Sequence, residues 1–186
     1  MRIIVGVSGA SGTILAKQLL LALKAVPDME THLVMSDSAL ETLGLELDSP
    51  REELIGLADE VHSINNIAAS IASGSFRTLG MVVVPCSMKT LAGIVSGYSD
   101  NLLLRAADVC LKERRKLVLI TREMPLSSIH LENMLKASNY GAVVMPPMMT
   151  FYNAPKSIDD MVNHLVGKIF MQFDLNYRDF CPWCGG

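Results

Sequence analysis

Ile3-Ile4-Val5-Gly6-Val7 runs straight into Ser8-Gly9-Ala10-Ser11-Gly12-Thr13 and then into the periodicity Leu15, Leu19, Leu20, Leu23. A β-branched run that breaks into small residues and resumes at helical spacing reads as a buried strand, a tight turn and a helix reaching Val26. The turn is then a helix N-terminus facing outward. Its N–H groups have no intrahelical partner and the helix dipole adds positive charge, so the place suits an anion, above all a phosphate. The G-x-x-G-x-x-G spacing matches neither the dinucleotide G-x-G-x-x-G nor the G-x-x-x-x-G-K-[ST] phosphate loop, and a plain tight turn stands as the competing reading. The second strand, 30–35, ends in Ser36, where an NAD-binding unit presents an acid to the ribose, and Asp37 comes one residue late. A mononucleotide with one terminal phosphate, such as FMN, fits this stretch better than NAD.

At 186 residues the chain is long enough for one well-buried core and short for two. Half of it is hydrophobic and only 19% is charged, too little polar surface for a solvated monomer, so self-association is expected. The net charge is −3, and the one basic block, Lys112-Glu113-Arg114-Arg115-Lys116, reads as a solvated helix end rather than a nucleic-acid surface. No apolar run approaches the roughly 18 residues that span a membrane, which points to a cytoplasmic protein. Cys86 and Cys110 sit in apolar segments as small hydrophobes. Cys181-Pro182-Trp183-Cys184 has the spacing of a redox or half-zinc site but lacks a following helix and a second ligand pair. The expected organisation is one domain over 1–176 and a C-terminal tail over 177–186. None of His32, His62, His130 and His164 has metal-ligand spacing, and all four read as ordinary.

Further along, helices are expected over 38–45, with Glu46 at the end, and over 51–58. Periodicity fades from Val61 to Leu79, around a loop of small and polar residues at 65–76. Met81-Val82-Val83-Val84-Pro85 is a continuous apolar run, as a buried parallel strand requires, and it opens into Cys86-Ser87-Met88-Lys89-Thr90. That places a second anion-friendly helix start at a strand's carboxyl end, where open α/β sheets hold their ligands. The helix over 101–113 sets Arg105, Asp108 and Lys112 on one face, either as an intrahelical salt bridge or as two cations aimed at a phosphate. A strand over 117–120 ends in Thr121-Arg122-Glu123-Met124-Pro125, where charges at the mouth of a buried strand need a partner. A helix over 127–139, a strand over 142–145 and a rigid loop bearing Phe151 and Tyr152 follow. Ser157-x-x-Asp160 resembles a capping box opening the last amphipathic helix, with Lys168 near its exposed edge.

Gly6-Val-Ser-Gly-Ala-Ser-Gly12, Ala72-Ser-Gly-Ser75, Pro85-Cys-Ser-Met-Lys-Thr90, Arg105-Ala-Ala-Asp-Val109, Leu111-Lys-Glu-Arg114, Arg122-Glu-Met-Pro125, Ser128-Ile-His-Leu-Glu-Asn-Met-Leu135 and Phe151-Tyr152 together resemble the flavin prenyltransferase family of the UbiX type. The match runs from about residue 2 to residue 175, and its motifs fall in the family's order. The resemblance implies an α/β fold, a Rossmann-like three-layer sandwich with a mostly parallel central sheet. It implies a homo-oligomer, typically a dodecamer, that transfers the dimethylallyl group of dimethylallyl phosphate to N5 and C6 of reduced FMN without a metal. The prenylated FMN then serves a partner decarboxylase of the UbiD type, and similar proteins are described as B subunits of hydroxyarylic acid decarboxylases.

Position by position, the resemblance makes Gly9, Ala10, Ser11, Ser36, Ser87, Met88, Lys89, Thr90 and Arg122 the FMN contacts. Tyr152 and Lys168 match prenyl phosphate contacts, and Arg105, Lys112 and Arg122 complete that site, partly across subunits. Glu46 and Glu123 match the acidic residues of the active site, beside Ser11. Cations around a departing phosphate stabilise the charge that develops in allylic C–O cleavage. Ile67 stands where some family members carry Trp, which removes a cation–π contribution, and Lys168 stands where Arg is common, which loses the bidentate fork. Two other readings share the fold. One is an FMN-dependent decarboxylase of thiol substrates, which would need a catalytic His at a strand end. The other is a non-catalytic FMN carrier subunit of an aromatic acid decarboxylase.

Overall fold

Six parallel strands form one sheet in the computed structural model, which describes residues 1–47, 51–180 and 182. The chain runs β1 (Arg2–Val7), α1 (Thr13–Lys24), β2 (Glu30–Met35), α2 (Asp37–Glu46), α3 (Arg51–Ile55) and β3 (Glu60–His62). It returns through a 3-10 turn at Ser70–Ala72 to β4 (Gly80–Cys86), α4 (Met88–Ser96), α5 (Leu102–Lys112), β5 (Lys116–Thr121), α6 (Ser128–Asn139), β6 (Val143–Val144) and α7 (Ile158–Gln172). Spatial order is β3-β2-β1-β4-β5-β6, and all five pairings are parallel. The winding reverses between β1 and β4, so a crevice opens beyond their carboxyl ends, the place where such sheets bind ligands.

Both faces of the sheet are covered, which is why β4 is buried over its whole length and reads as an unbroken apolar run. On one face α1 and α7 pack Leu19, Leu23, Val166 and Phe170 against Ile3, Val5 and Val82. On the other, α4 and α5 pack Leu91, Leu103 and Ala107 against Ile4, Met81 and Val83. Gly80 enters β4 at φ 146°, and a Cβ there would run into the carbonyl of Lys116, so only glycine fits.

Several expectations shift. The three-residue β3 lies in a stretch without sequence periodicity, because an edge strand this short and half exposed has no apolar alternation to display. The helix expected over 51–58 stops at Ile55, before Gly56, and the strand expected over 142–145 shrinks to two residues. Arg115 is no solvated helix end: its guanidinium donates to the carbonyls of Phe76, at 2.7 Å, and Gly74. The Ser157 box is present, Ser157 Oγ accepting from Asp160 N at 3.1 Å and Asp160 Oδ2 from Ser157 N at 3.0 Å. Cys86 and Cys110 are buried, which pushes both thiols up to about 12. Residues 177–180 fold back on α7, Tyr177 OH donating to Asn163 Oδ1 at 2.7 Å. Cys181 and Cys184 lie outside the described residues. Among the described residues no helix is long and apolar enough to cross a membrane.

Candidate active site

The carboxyl ends of four adjacent strands are tied directly to one another. Ser36 N donates to Val7 O at 3.0 Å, linking β2 to β1, and Arg122 N donates to Cys86 O at 3.1 Å, linking β5 to β4. Across the switch point, buried Ser8 donates its hydroxyl to Pro85 O at 2.9 Å and accepts from Ser87 N at 2.7 Å. Ser8 fixes the two ligand-facing turns against each other. It went unsingled in the sequence because a serine in a glycine-rich turn reads as part of the turn.

The anion expected at the start of α1 comes from within the protein. Gly12 takes φ 112° as N-cap, and the carboxylate of Glu46, from the end of α2, receives Gly12 N at 2.9 Å and Thr13 N at 2.8 Å. The Thr13 hydroxyl adds a bond at 2.8 Å. Desolvation pushes the Glu46 carboxyl up, but the hydrogen bonds from Ser11, Thr13 and Gly12 outweigh it and hold it below its ordinary value. A carboxylate of the protein's own therefore already neutralises this helix start. Gly9 and Ala10, half-buried, and exposed Ser11 form the turn above it, where a Cβ on Gly9 would collide with Ser38.

The second helix start is available. Ser87 caps α4, accepting from Thr90 N at 3.3 Å and donating to Thr90 Oγ1 at 3.1 Å, while the N–H groups of Met88 and Lys89 have no intrahelical partner. Ser36 caps α2 in the same way, accepting from Ala39 N at 3.1 Å. Both caps, with Lys89 and Thr90, line a cavity of about 470 Å³ that runs on past Asn101 at the start of α5. Beside it, exposed Arg122 and Glu123 follow the end of β5, where Thr121 Oγ1 is buried without a partner among the described residues.

The cations expected around a second phosphate divide between the two faces of the sheet. Arg105 donates through Nε to Ala72 O at 3.2 Å and through its guanidinium to Asp108 at 2.6 Å, while Lys112 pairs with Glu113 instead of Asp108. Both lie on α5. On the opposite face Tyr152 OH lies 3.2 Å from Nε2 of His164, and Lys168 follows one turn further along α7. One chain does not bring Arg105 and Lys168 together. Ile67 and, in the loop before α7, Met148, Met149 and Phe151 are exposed.

Histidines read as ordinary turn out to be placed. His130 completes a capping box on α6, its Nδ1 accepting from Ser127 N at 3.2 Å. His32 and His62, thirty residues apart and on neighbouring strands, meet at 3.0 Å. None of the four histidines is among the residues at the knitted carboxyl ends of β1, β4 and β5, where a thiol-substrate decarboxylase would need one.

Comparison with known proteins places the whole chain. The Flavoprotein family matches residues 1–170. The flavin prenyltransferase UbiX of Escherichia coli (strain K12) is 54% identical over 186 residues, covering 99% of this chain and 98% of that protein. A dodecameric FMN-dependent UbiX-like decarboxylase from Escherichia coli O157:H7 superposes with a TM-score of 0.97 at 54% identity, over the whole of both chains. AnUbiX (PadA1), crystallised with FMN and dimethylallyl pyrophosphate, also gives a TM-score of 0.97, at 51% identity over 100% of this chain and 98% of that one.

Proposed function

This chain belongs to the Flavoprotein family and within it to the UbiX-type flavin prenyltransferases, and from that premise we propose how its residues divide the work of joining the dimethylallyl group of dimethylallyl phosphate to reduced FMN. The carrying observation is the knitted set of strand ends around the β1–β4 switch point, with an uncommitted helix start on α4 and a helix start on α1 already filled by Glu46.

The donor set fits FMN. Ser36, Ser87, Lys89, Thr90 and the N–H groups of Met88 and Lys89 offer hydroxyls, a cation and a helix start to a terminal phosphate, beside a cavity of about 470 Å³. Gly9, Ala10 and Ser11 present backbone where the flavin ring approaches β1, and Arg122 reaches it from β5. Bound reduced FMN supplies the N5 and C6 positions to which the dimethylallyl carbons are joined.

Tyr152, Lys168, Arg105, Lys112 and Arg122 bind the phosphate of the prenyl donor, which leaves with the electron pair of the broken C–O bond. Tyr152 offers a neutral hydroxyl, and the positive charge of the two lysines and two arginines is set before the reaction, so it lowers the barrier without reorganisation in the transition state. Glu46 holds the turn carrying Ser11, and Glu123 places a carboxylate opposite it at the end of β5. Because α5 and α7 lie on opposite sheet faces, the phosphate site is completed between copies of the chain.

The assembly is a homo-dodecamer. Helix α6 supports it: Ala137 alone is buried there, while Leu131 and Leu135, one turn apart, are 54% and 62% exposed, an apolar stripe that a monomer would leave in water. The protein works in the cytoplasm and passes prenylated FMN to a UbiD-type decarboxylase. Anaerobic incubation with reduced FMN and dimethylallyl phosphate, followed by mass spectrometry of the released flavin, tests the activity. A gain of one dimethylallyl unit is expected. Unchanged flavin that remains bound, with dimethylallyl pyrophosphate also tried, would overturn the reading in favour of a carrier.

A further inference from the structure

Away from the knitted strand ends, the edge of the sheet gathers two histidines and two carboxylates. In the parallel β2–β3 pair His32 stands opposite Glu60 and Val34 opposite His62, so the period of two puts His32, Glu60 and His62 on one face. His32 has no exposed side-chain surface and His62 has 4%, while Glu60 keeps 52%. Nδ1 of His32 lies 3.0 Å from Nε2 of His62 and 3.3 Å from Oε2 of Glu60, and one donor atom from each of the three residues lies within 4.8 Å of the others.

We propose that His32, His62 and Glu60 bind a transition-metal dication, Zn²⁺ foremost, in a site separate from the prenyltransferase centre. A tetrahedral zinc ion with bonds of about 2.0–2.2 Å holds its donors about 3.3 Å apart, close to the spacings already present. The far nitrogen supports this. His32 Nε2 lies 3.1 Å from Glu30 Oε1, and Glu30 is itself paired with Arg2 at 2.8 Å. A carboxylate on one imidazole nitrogen keeps the proton there and turns the other lone pair toward the metal.

With no ion bound, His62 gives its Nε2 proton to His32 Nδ1, because the His32 proton is held at Nε2 by Glu30. On binding, His62 moves that proton to Nδ1, on the Glu60 side, and the ion takes the place of the shared hydrogen. Half-exposed Glu60 gives the ion its way in, and water completes the fourth position. Two imidazoles and one carboxylate select Zn²⁺, Co²⁺, Ni²⁺ or Cu²⁺ over Mg²⁺ and Ca²⁺, which prefer all-oxygen shells.

The test uses the full-length chain carrying Cys181→Ser and Cys184→Ser, so that the tail thiols cannot contribute. After chelator treatment, Zn²⁺ is titrated by calorimetry and Co²⁺ by visible absorption. One ion per chain is expected, with tetrahedral Co²⁺ bands, weakened about a hundredfold by His62→Asn and about 10–100-fold by Glu30→Gln. Glu60→Gln, at an exposed position that leaves the core untouched, weakens binding as well and leaves prenylation unchanged. Lack of uptake by the serine variant, or equal uptake with and without Glu60→Gln and His62→Asn, would overturn the proposal.

Discussion

The Glu46 carboxylate spans the start of the first helix, the Gly12 N–H lying 2.9 Å from one of its oxygens and 3.1 Å from the other. The end of α2 thereby controls the turn after β1, thirty-four residues back in the chain. A negative charge in that position cancels the positive end of α1.

Glu46→Gln separates its part in stability from its part in turnover. An amide keeps an acceptor oxygen but loses the charge and sets an N–H₂ group against backbone donors. The expected loss of stability is about 1 kcal/mol, the worth of an anion at an exposed helix start. Prenylation falls about tenfold or more, roughly 1.4 kcal/mol on the barrier, while FMN stays bound. Thermal unfolding, flavin titration and single-turnover rates read the three quantities. Wild-type turnover in the variant would remove Glu46 from the reaction.

Ser8→Ala cuts the tie between the β1 and β4 turns. Ser87 N is left without its 2.7 Å acceptor at a part-buried position, and Pro85 O loses the Ser8 hydroxyl. Leaving such a group unsatisfied costs about 1–3 kcal/mol, or several degrees in Tm for a chain of this size. FMN affinity is expected to fall as well, since Ser87 caps α4, the helix proposed to hold the phosphate. Loss of stability with unchanged FMN affinity would make Ser8 purely structural.

Much of this architecture was legible in the chain because its main signals are local. Val82, Val83 and Val84 are buried on both faces and so form an uninterrupted run, and Ser157 caps a helix whose Asp160 is three residues on. What could not be read depends on residues far apart in sequence meeting in space. Nothing near Glu46 indicates that it reaches Gly12 and Thr13, nothing near Arg115 indicates the carbonyls of Gly74 and Phe76, and His32 and His62 meet only because β3 pairs with β2. The family resemblance groups Arg105 and Lys112 with Lys168, but a single chain places α5 and α7 on opposite faces.

Arg105→Lys is expected to impair the enzyme almost as much as Arg105→Ala. The guanidinium uses Nε to hold Ala72 O at 3.2 Å and a terminal nitrogen to hold Asp108 at 2.6 Å, a fork that an ammonium cannot copy. Both variants should raise KM for dimethylallyl phosphate about tenfold, the effect of losing about 1.4 kcal/mol of phosphate binding. Both should also speed amide exchange around residues 70–76. Full activity in the lysine variant would show that charge alone suffices.

The acid limb of stability should begin with His62 and His164, and of the two His164 stands apart from the sheet edge. Burial, and then the charge of Lys168, holds this imidazole below its ordinary value of 6.5, so the folded protein keeps it neutral. The unfolded chain therefore binds a proton that the native state refuses, and stability rises with pH across that window. The contribution is complete above about pH 6.5 and is lost as pH falls toward the depressed native value. Glu46, held below 4.5 in the native state, acts in a second and lower window, losing its contribution as pH drops beneath the ordinary carboxylate range. Urea midpoints measured from pH 8 to pH 3 should decline in two stages. His164→Gln keeps a hydrogen-bonding group near Tyr152 OH but carries no titrating proton, so it should shrink the upper stage to the share of His62 and leave the lower one in place. An unchanged upper stage in that variant would assign the first loss to another histidine.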